Sequence, residues 1–409
     1  MPRAVLGILT TYPDGSSVRG PRWPQWRSFA EIIRHGRKQD VLVYVFSPGG
    51  VDWRRRQVLG WRSFGQGARR WALGWFPMPD VVYNRVPSRT AERHPSVRAC
   101  LRRFLALHGR VFNPHYLNKS ALQRALGRHP KLSRHLPDTI PLTGPAVLRR
   151  FADTHRRVYL KAVGGSLGNG TMELARTASG WRLRYNPGPG RTRTASFHTW
   201  PGAWTAIQRI TRGRPYLAQR AIALARADGR PFDLRLLVQK HPDGRWRFTG
   251  GAARVAGLGQ ITTHVPRGGR RMAMEEALAK AFGPEYTAEI GRQVADLAER
   301  AAAAMEAATK RRFIEMSMDL GIDDRGRMWI FELNAKPLRF DEPDIQQTRI
   351  AYLLDYVVWA AREMSPISVP PPGANAPVRN DEIPLLKAAG APRPVAAVGS
   401  LPGRPRFPR

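Results

Sequence analysis

Apolar runs alternate with stretches of helical spacing along the first 118 residues. Val5–Leu9, Val41–Phe46 and Val81–Tyr83 are short and rich in β-branched or aromatic residues, which is typical of buried strands. Trp26–Ile33 and Ala91–Leu107 carry apolar residues three or four positions apart, as the buried face of a helix does. Because strands and helices alternate, this part is predicted to form a small α/β domain with a mostly parallel sheet.

After residue 118 the pattern indicates hairpins with helices between them. Arg157–Ala162 and Thr171–Ala175 are strand-like and enclose a glycine-rich tip. Phe232–Lys240 and Trp246–Ala256 are also strand-like, and the turn residues Pro242-Asp243-Gly244 separate them. Helices are predicted at Lys119–Leu126 and Ala146–Asp153. This part of the chain is therefore expected to have an α+β organisation.

The last part before the tail combines a long amphipathic helix with a pair of strands. The apolar residues from Ile290 to Met305 recur every three or four positions, which predicts a helix packed on a sheet. Arg312–Leu320 and Met328–Leu333 predict two neighbouring strands, and Tyr352–Ala361 predicts a closing helix. The strand pair is therefore expected to belong to a second α+β subdomain.

Two shifts in pattern divide the chain. We predict an N-terminal α/β domain at residues 1–117 and a two-subdomain region at 118–365, with the subdomain boundary near 222–230. Residues 366–409 include 11 prolines, which predicts a disordered or extended tail. The N-terminus lacks a charged leader, and no segment approaches the ~20 apolar residues of a membrane helix. We therefore expect a cytoplasmic protein without a membrane partner.

The net charge of +36 is concentrated in residues 1–230, which carry +31, whereas residues 231–365 carry only +1. Such an excess favours an anionic partner, and nucleic acid is the obvious one. The arginines are scattered, however, and no known nucleic-acid-binding motif is present, so this function is kept as an alternative. The single cysteine, Cys100, excludes an internal disulfide framework and a thiolate metal cluster.

Three oxygen-bearing side chains lie on the strand pair near the end of the domain. Glu332 and Asn334 are two residues apart and face the same side of their strand, and Asp319 can meet them from the neighbouring strand. Two carboxylates and an amide oxygen are ligands suited to Mg²⁺ or Mn²⁺. The alternative is a solvated hairpin that carries ordinary surface acids.

The glycine-rich tip at residues 164–170 is a candidate phosphate-binding loop, because its backbone N–H groups can approach a phosphate closely. Lys161 lies in the strand just before it, and Lys119 opens a helix earlier in the chain. A phosphate would be a suitable partner for either lysine. The alternatives are a plain flexible hairpin and two solvent-exposed lysines. The small residues of the tip considered as ligands are Gly164, Gly165, Ser166, Gly168 and Gly170.

A third group of charged residues lies on the hairpin after residue 230. Asp233 and Arg235 are two residues apart on one strand, and Arg254 lies on the paired strand. Asp233 is expected to orient Arg235, whose guanidinium could then clamp a carboxylate or a phosphate. A purely structural salt bridge is the alternative.

In this order and spacing, the motifs resemble those of ATP-grasp proteins over roughly residues 119–337. Two further segments, Pro79-Asp-Val-Val-Tyr-Asn-Arg85 and the run from Asp233 to Gln239, make the resemblance narrower, to the YheC/YheD endospore coat-associated family. The segments that match ATP-grasp motifs are Lys119, Leu136-Pro-Asp-Thr139, Tyr159-Leu-Lys161 with the loop to Gly170, Tyr216-Leu-Ala-Gln219, Phe232-Asp-Leu-Arg235, Ala253-Arg-Val255, Asp319 and Phe331-Glu-Leu-Asn334.

The resemblance implies a fold, in which a small α/β domain precedes an ATP-grasp domain of two subdomains with ATP between them. It implies that Lys119, Lys161 and the 164–170 loop contact the phosphates, and that Mg²⁺ is held by Asp319, Glu332 and Asn334. Arg235 and Arg254 would face the γ-phosphate and the substrate. The adenine would meet the linker residues Gln219, Arg220, Ala221 and Ile222. One departure is His264, at a position where relatives often have asparagine.

For function, the resemblance implies an ATP- and Mg²⁺-dependent ligase that joins an unidentified carboxylate to an amine or thiol through an acyl phosphate. A nucleotide-binding structural protein of the spore coat, with little turnover, is the second hypothesis. Spore-coat components are then expected partners and the spore an expected location. A polyanion-binding protein is the third hypothesis.

Overall fold

The computed structural model describes residues 2–12, 25–65, 71–117, 119–164, 170–188, 191–257 and 269–364, without the side chains of 119, 187, 188 and 191. The helices are α1 (Trp26–Lys38), α2 (Arg89–Glu92), α3 (Pro95–His108), α4 (Lys119–Leu126), α5 (Pro145–His155), α6 (Trp200–Thr211), α7 (Met274–Phe282), α8 (Pro284–Thr309) and α9 (Pro343–Glu363). A short 3-10 helix covers Ser133–His135.

Within these described residues the strands form three sheets, called here sheets 1, 2 and 3. Sheet 1 contains β1 (Ala4–Leu9), β2 (Val41–Asp52), β3 (Gln57–Ser63), β4 (Trp71–Pro77), β5 (Val81–Asn84) and β6 (Val111–Phe112). Sheet 2 contains β7 (Thr139–Pro141), β8 (Arg157–Ala162), β9 (Met172–Thr177), β10 (Gly180–Gly188), β11 (Arg191–Phe197) and β12 (Tyr216–Arg220). Sheet 3 contains β13 (Arg226–Ala227), β14 (Arg230–Lys240), β15 (Trp246–Val255), β16 (Arg270–Ala273), β17 (Glu315–Ile322) and β18 (Met328–Asn334).

Sheet 1 has the order β4-β3-β2-β1-β5-β6 and confirms the predicted α/β layering. Four of its six strands, β2, β1, β5 and β6, run parallel to one another, and helices cover both faces of the sheet. The hairpin of β3 and β4 was not predicted, because its sequence mixes aromatic residues with glycine and arginine. The helix predicted at Ala91–Leu107 is two helices, since Pro95 starts α3 after a break at His94.

Sheet 2 has the order β11-β10-β9-β8-β12-β7. Its strands β8 and β9 form the predicted hairpin, and α5 and α6 cover one face of the sheet. Alternation along β8 sets its orientation: Val158 and Leu160 are fully buried against those helices, so Tyr159 and Lys161 face the opposite side. That opposite side is therefore lined by polar residues.

Sheet 3 has the order β16-β15-β14-β17-β18, and α4, α7 and α8 pack on one of its faces. On β14, Leu234 and Leu236 belong to this core, so Asp233 and Arg235 lie on the other face. Part of that other face is covered by α9, which also packs on sheet 1. Helix α9 therefore joins the N-terminal sheet to the sheet that carries the candidate metal residues.

A buried ionic cluster reinforces this junction. The carboxylate of Glu315 on β17 accepts hydrogen bonds from Arg349 Nε at 2.7 Å and Arg349 Nη2 at 2.6 Å, and also one from the hydroxyl of Tyr83. Arg85 Nη1 lies 3.4 Å from the same carboxylate. Burial alone would raise the pKa of Glu315, but the neighbouring guanidinium of Arg349 lowers it on balance. The carboxylate is therefore held ionised between three elements.

None of the helices in the described part of the chain combines the length and the apolar character that crossing a bilayer requires.

Candidate functional site

The candidate metal residues come together on β17 and β18, which are antiparallel. Asp319 lies directly opposite Glu332, and Asn334 lies two residues further along β18, opposite Ser317. Opposed residues in an antiparallel pair share one face, so the two carboxylates and the amide project to the same side of sheet 3. Among the residues with described positions, no group of three or more His, Cys, Asp or Glu forms a metal-type cluster. The predicted set contains only two such residues and an amide, so its role in metal binding stays a prediction.

A β-bulge shapes the same edge of the site. The pairing register shifts between Asp319 and Leu320, so that Phe331 is the extra residue on β18. Its ring lies over Gly321, where a Cβ atom would be only 2.5 Å from the Cζ of Phe331. The bulge therefore places an aromatic ring beside Glu332 on the same side of the sheet.

The arginines that were predicted to bind substrate are paired with carboxylates. Arg235 Nη1 donates to Asp319 Oδ1 at 2.6 Å, and Arg254 Nη2 lies 3.1 Å from the same oxygen. Arg254 Nε also donates to Asp233 Oδ1 at 2.8 Å. Burial by itself would lower the pKa of Arg254, but Asp233 and Asp319 raise it well above the usual range. Both guanidiniums are therefore held by carboxylates at the candidate metal site.

One expectation about these residues was wrong. Asp233 pairs with Arg254, whereas Arg235 pairs with Asp319. The reason is register: Asp233 lies opposite Arg254 on β15, and Arg235 lies opposite Asp319 on β17. Directly opposed side chains are closer than neighbours two residues apart on one strand, so the cross-strand partners prevail.

Lys161 faces this site from sheet 2. Its Nζ donates to Gln219 Oε1 at 2.6 Å, and Gln219 Nε2 in turn donates to Thr139 Oγ1 at 3.0 Å. The same Nζ lies 5.3 Å from the centre of the Phe331 ring on sheet 3. A lysine of sheet 2 and the bulge residue of sheet 3 thus approach each other across one cleft.

A cavity of ≈ 660 Å³ opens in this cleft between the two sheets. Tyr159, Glu173 and Arg184 line it from sheet 2, and Ile222 and Ala256 line it from the linker and the end of β15. The Tyr159 hydroxyl donates to Glu173 Oε2 at 3.3 Å, and burial raises the pKa of this tyrosine. The volume is in the usual range for a small-molecule site, about 300–1,000 Å³.

The four linker residues predicted to meet the adenine differ in their placement. Gln219 is bound to Lys161, and Ile222 lines the cavity. The backbone N–H of Arg220 donates to Asp138, and that of Ala221 donates to the carbonyl of Arg157. The side chain of Arg220 lies over the ring of Trp329. Of these four residues, Ile222 is therefore the one that lines the cavity.

Other predicted site residues lie at or beyond the limits of the described chain. Helix α4 begins at Lys119, whose side chain is outside the description. Gly164 and Gly170 flank the glycine-rich tip, and Gly170 has a φ of 73°. A Cβ atom at Gly170 would lie 2.7 Å from the Tyr216 hydroxyl, so glycine is required there for both reasons. Gly165, Ser166, Gly168 and His264 fall outside the described residues.

Sequence reasoning missed two residues that line the cavity and one buried ion pair that follows β18. Glu173 and Arg184 stand on neighbouring strands of sheet 2, and Arg184 Nη1 lies 3.4 Å from Glu173 Oε1. Neither residue belongs to a recognisable motif, and β10 itself was not predicted. Lys336, two residues after Asn334, forms an ion pair with Glu92 of α2 at 2.5 Å. Only the contact between the N-terminal sheet and β18 reveals this pair.

Comparisons with known proteins agree with this architecture. The sequence model of the YheC/D-like ATP-grasp family matches residues 108–359. The endospore coat-associated protein YheD of Bacillus subtilis (strain 168) is 24% identical over 323 residues, which cover 78% of this chain and 69% of that protein.

Among solved structures, the ATP-grasp ligase PsnB complexed with precursor peptide PsnA2 and AMPPNP is 17% identical, with a TM-score of 0.48 over 88% of this chain and 99% of that one. D-alanyl-alanine synthetase A from Vibrio cholerae O1 biovar eltor str. N16961 is 11% identical, with a TM-score of 0.47 over 88% and 98%. The family match covers more than half of the sequence, and the expected fold class is confirmed. This chain belongs to the YheC/D-like ATP-grasp family.

Proposed function

We propose that this protein binds ATP with Mg²⁺ in the cleft between sheets 2 and 3 and uses it to join a carboxylate to an amine. The observation that carries the proposal is the approach of Lys161 on one sheet to the Phe331–Glu332 edge of the other. A cation for phosphates on sheet 2 then lies near the edge of sheet 3 that carries carboxylates for a metal. A cavity of ≈ 660 Å³, lined by Tyr159, Glu173 and Ile222 among others, leaves room for a ligand between the same two sheets. Family membership supports the same interpretation.

The donor set fits a hard divalent cation. Asp319, Glu332 and Asn334 supply two carboxylates and an amide oxygen on one face of β17 and β18, without sulfur or imidazole ligands. These three residues would hold Mg²⁺ or Mn²⁺, which would neutralise phosphate charge when bound. Asp319 is also the partner of both arginines, so the cation and the guanidiniums would share one carboxylate.

The residues of the chain have separate roles in the proposed reaction. Lys161, held by Gln219, binds phosphate oxygens. Arg235 and Arg254 stabilise the charge on the transferring phosphoryl group, because both are fixed and charged beside Asp319. A carboxylate oxygen of the substrate attacks the γ-phosphorus, and the bond to the β,γ-bridging oxygen breaks to release ADP. The amine then attacks the acyl carbon, loses a proton and displaces phosphate.

Nucleotide binding is the first test. Calorimetry with ATP and Mg²⁺ compares the unchanged protein with Lys161→Ala and Glu332→Gln, and we expect affinity to fall about tenfold or more in each, since each loses a charged contact. Two exposed residues provide matched controls, Lys131→Ala and Glu285→Gln, which should bind as the unchanged protein does. Undiminished affinity in both site variants would contradict the assignment.

Turnover is the second test. Pools of amino acids and small carboxylates are added with ATP and Mg²⁺, and ADP release is measured. Ligation predicts that some pool stimulates ADP release and that Arg235→Ala abolishes the stimulation while leaving nucleotide binding detectable. If no pool stimulates release although ATP binds, the protein is a nucleotide-binding scaffold, and the spore coat named for YheD becomes the place to look for its partners.

A further inference from the structure

A second cavity, of ≈ 640 Å³, lies along α1 and shares no lining residue with the cavity between sheets 2 and 3. Helix α1 forms one wall with Trp26, Arg27, Arg34 and Arg37 among its lining residues. The end of β3 and the turn after it contribute a second wall, residues 63–65. The chain that follows β18 contributes Arg339 and Asp341. This cavity takes no part in the proposed reaction.

The acidic residues in the lining already have basic partners. Glu31 accepts hydrogen bonds from Arg339, with Nη2 at 3.0 Å, and from Gln346 Nε2 at 2.9 Å. Asp341 forms an ion pair with Arg271 at 3.2 Å. The positive charges of the cavity beyond Arg339 are therefore not neutralised by its own carboxylates.

Three arginines of α1 remain without an acidic partner among the residues that the structure describes: Arg27, Arg34 and Arg37. All three are exposed. Arg37 donates to the carbonyl of Ser63, which carries no charge. Arg27 lies in the first turn of α1, where the helix dipole already attracts anions. This wall of the cavity therefore carries three positive charges that no described carboxylate neutralises.

The neighbouring Arg62 is affected by this positive charge. Arg62 on β3 has its Nε atom buried without a hydrogen-bond partner in the described structure. Burial lowers the pKa of Arg62, and the positive charge of Arg37 lowers it further. An anion that enters between arginine side chains crowded in this way reduces the electrostatic repulsion between them.

The spacing of the three arginines indicates an extended ligand. Seven residues of helix separate Arg27 from Arg34, which is about 10 Å, and the stripe to Arg37 is about 15 Å long. An extended peptide covers that length with about five residues. Two of the guanidiniums are held over aromatic rings, Arg27 over Trp26 at 5.7 Å and Arg37 over Phe64 at 5.3 Å. These contacts fix the charges in position before a ligand arrives.

We propose that this cavity binds an acidic peptide segment through Arg27, Arg34 and Arg37. The carboxylates Glu31 and Asp341 at the rim favour a peptide over nucleic acid: they can accept peptide N–H groups, whereas they repel a continuous phosphodiester backbone. The site is separate from the nucleotide cleft, and its test needs no nucleotide. Its outcome therefore stands apart from that of the proposed ligase activity.

The experiment measures the fluorescence anisotropy of a labelled octaglutamate peptide with the full chain, without ATP. The site variant is Arg27→Glu with Arg34→Glu. The control variant is Lys38→Glu with Arg102→Glu, which lowers the net charge equally at exposed basic residues that do not line the cavity. We expect affinity to fall about tenfold or more in the site variant and to stay within about twofold in the control. A single Arg34→Ala variant serves if the double variant does not fold.

Equal weakening in the two double variants would overturn the proposal, because it would show diffuse charge attraction only. Absence of binding by the unchanged protein at low salt would also overturn it. Competition experiments show which kind of ligand the cavity prefers. If free citrate displaces the labelled peptide as well as unlabelled peptide does, the cavity binds a small acid and the peptide proposal is overturned. An oligothymidylate that binds more tightly, and is weakened by the same site variant, would assign it to nucleic acid.

Discussion

Strand β17 carries two carboxylates on the same face, four residues apart, and they have different surroundings. Glu315 is fully buried and bound by Arg349, Arg85 and Tyr83 from sheet 1 and α9. Asp319 is also bound by two arginines, but its side chain is 10% exposed and lies opposite Glu332 at the cleft. The first carboxylate is enclosed by its partners, whereas the second lies at the cleft where we propose that a cation binds.

The comparison separates two uses of the same ion-pair chemistry. A fully enclosed pair contributes when its partners stay together, since a buried charge that loses its partner is strongly destabilising. A pair at the border of a cavity holds side chains in place and still leaves them available. The cluster around Glu315 therefore joins sheets 1 and 3, and the pairs around Asp319 lie at the proposed metal site.

The largest effect is expected from Glu315→Ala. The substitution leaves Arg349 and Arg85 buried without their carboxylate, and the free energy of unfolding should fall by about 3–5 kcal/mol. Urea unfolding followed by circular dichroism measures the change. Glu289→Ala, which breaks an exposed pair with Arg292, is the control and should show little measurable change. A similar stability for both variants would show that the enclosed cluster does not join the sheets.

Next in size is Tyr83→Phe, which removes one donor to Glu315 and should cost about 1.5–3 kcal/mol. The pKa of Tyr83 is raised to about 12, mainly by burial, above an unfolded value of about 10. A raised pKa means that this stability is complete below pH ~10 and is lost as pH rises toward 12. Urea unfolding at several alkaline pH values should show this loss for the unchanged protein but a weaker one for the variant.

The exposed Tyr286 supplies the control for that experiment. Tyr286→Phe should retain the alkaline dependence of the unchanged protein. If Tyr83→Phe and Tyr286→Phe follow the same pH curve, the Glu315 cluster does not account for the alkaline loss.

For the second carboxylate, Asp319→Asn should leave folding nearly intact. The amide oxygen can still accept from Arg235, and Arg254 keeps Asp233, so we expect a stability loss of about 1 kcal/mol. Affinity for ATP with Mg²⁺ should fall about tenfold, or about 1.4 kcal/mol, by calorimetry. Asp296→Asn on the exposed face of α8 is the control. A large folding defect without a binding defect would make Asp319 a structural residue like Glu315.

The smallest effect concerns the bulge. Gly321→Ala places a Cβ atom 2.5 Å from the Phe331 ring, which must move toward the cleft. We expect a loss of about 1 kcal/mol in stability and about threefold in ATP affinity. Gly291→Ala adds a Cβ atom into open space on α8 and should reduce neither the stability nor the ATP affinity. An unchanged ATP affinity in Gly321→Ala would show that the position of the ring does not shape the nucleotide site.

Much of the fold could be predicted from the sequence, and the reason differs between elements. Residues 4–9, 41–46 and 157–162 are short apolar runs, and α8 has a long apolar stripe, so local periodicity was sufficient. The hairpins of β3 with β4 and of β10 with β11 were missed, because arginines, glycines and tryptophans obscure their alternation. Pro95 divided a helix that the apolar spacing had joined.

In the candidate site, too, some features could be predicted from the local sequence pattern and others could not. Strand periodicity predicted that Asp319, Glu332 and Asn334 share one face, and the strand register confirms this placement. Their role as ligands, and that of Lys161, stays a prediction. The local pattern failed for Asp233, whose partner depends on which strands are neighbours. The contributions of Glu173 and Lys336 likewise arise from strands and helices that are far apart in the chain.

By itself, the sequence determined the family, the local elements and the identity of the charged side chains, since these follow from residue type and short-range spacing. Tertiary structure alone decided that Glu315 became fully enclosed while the side chain of Asp319 kept a small exposed fraction. Glu315 and Asp319 occupy equivalent faces of one strand, and a local pattern cannot distinguish them. Their difference comes from α9 and sheet 1, whose side chains enclose Glu315, whereas the partners of Asp319 come from β14 and β15 of its own sheet.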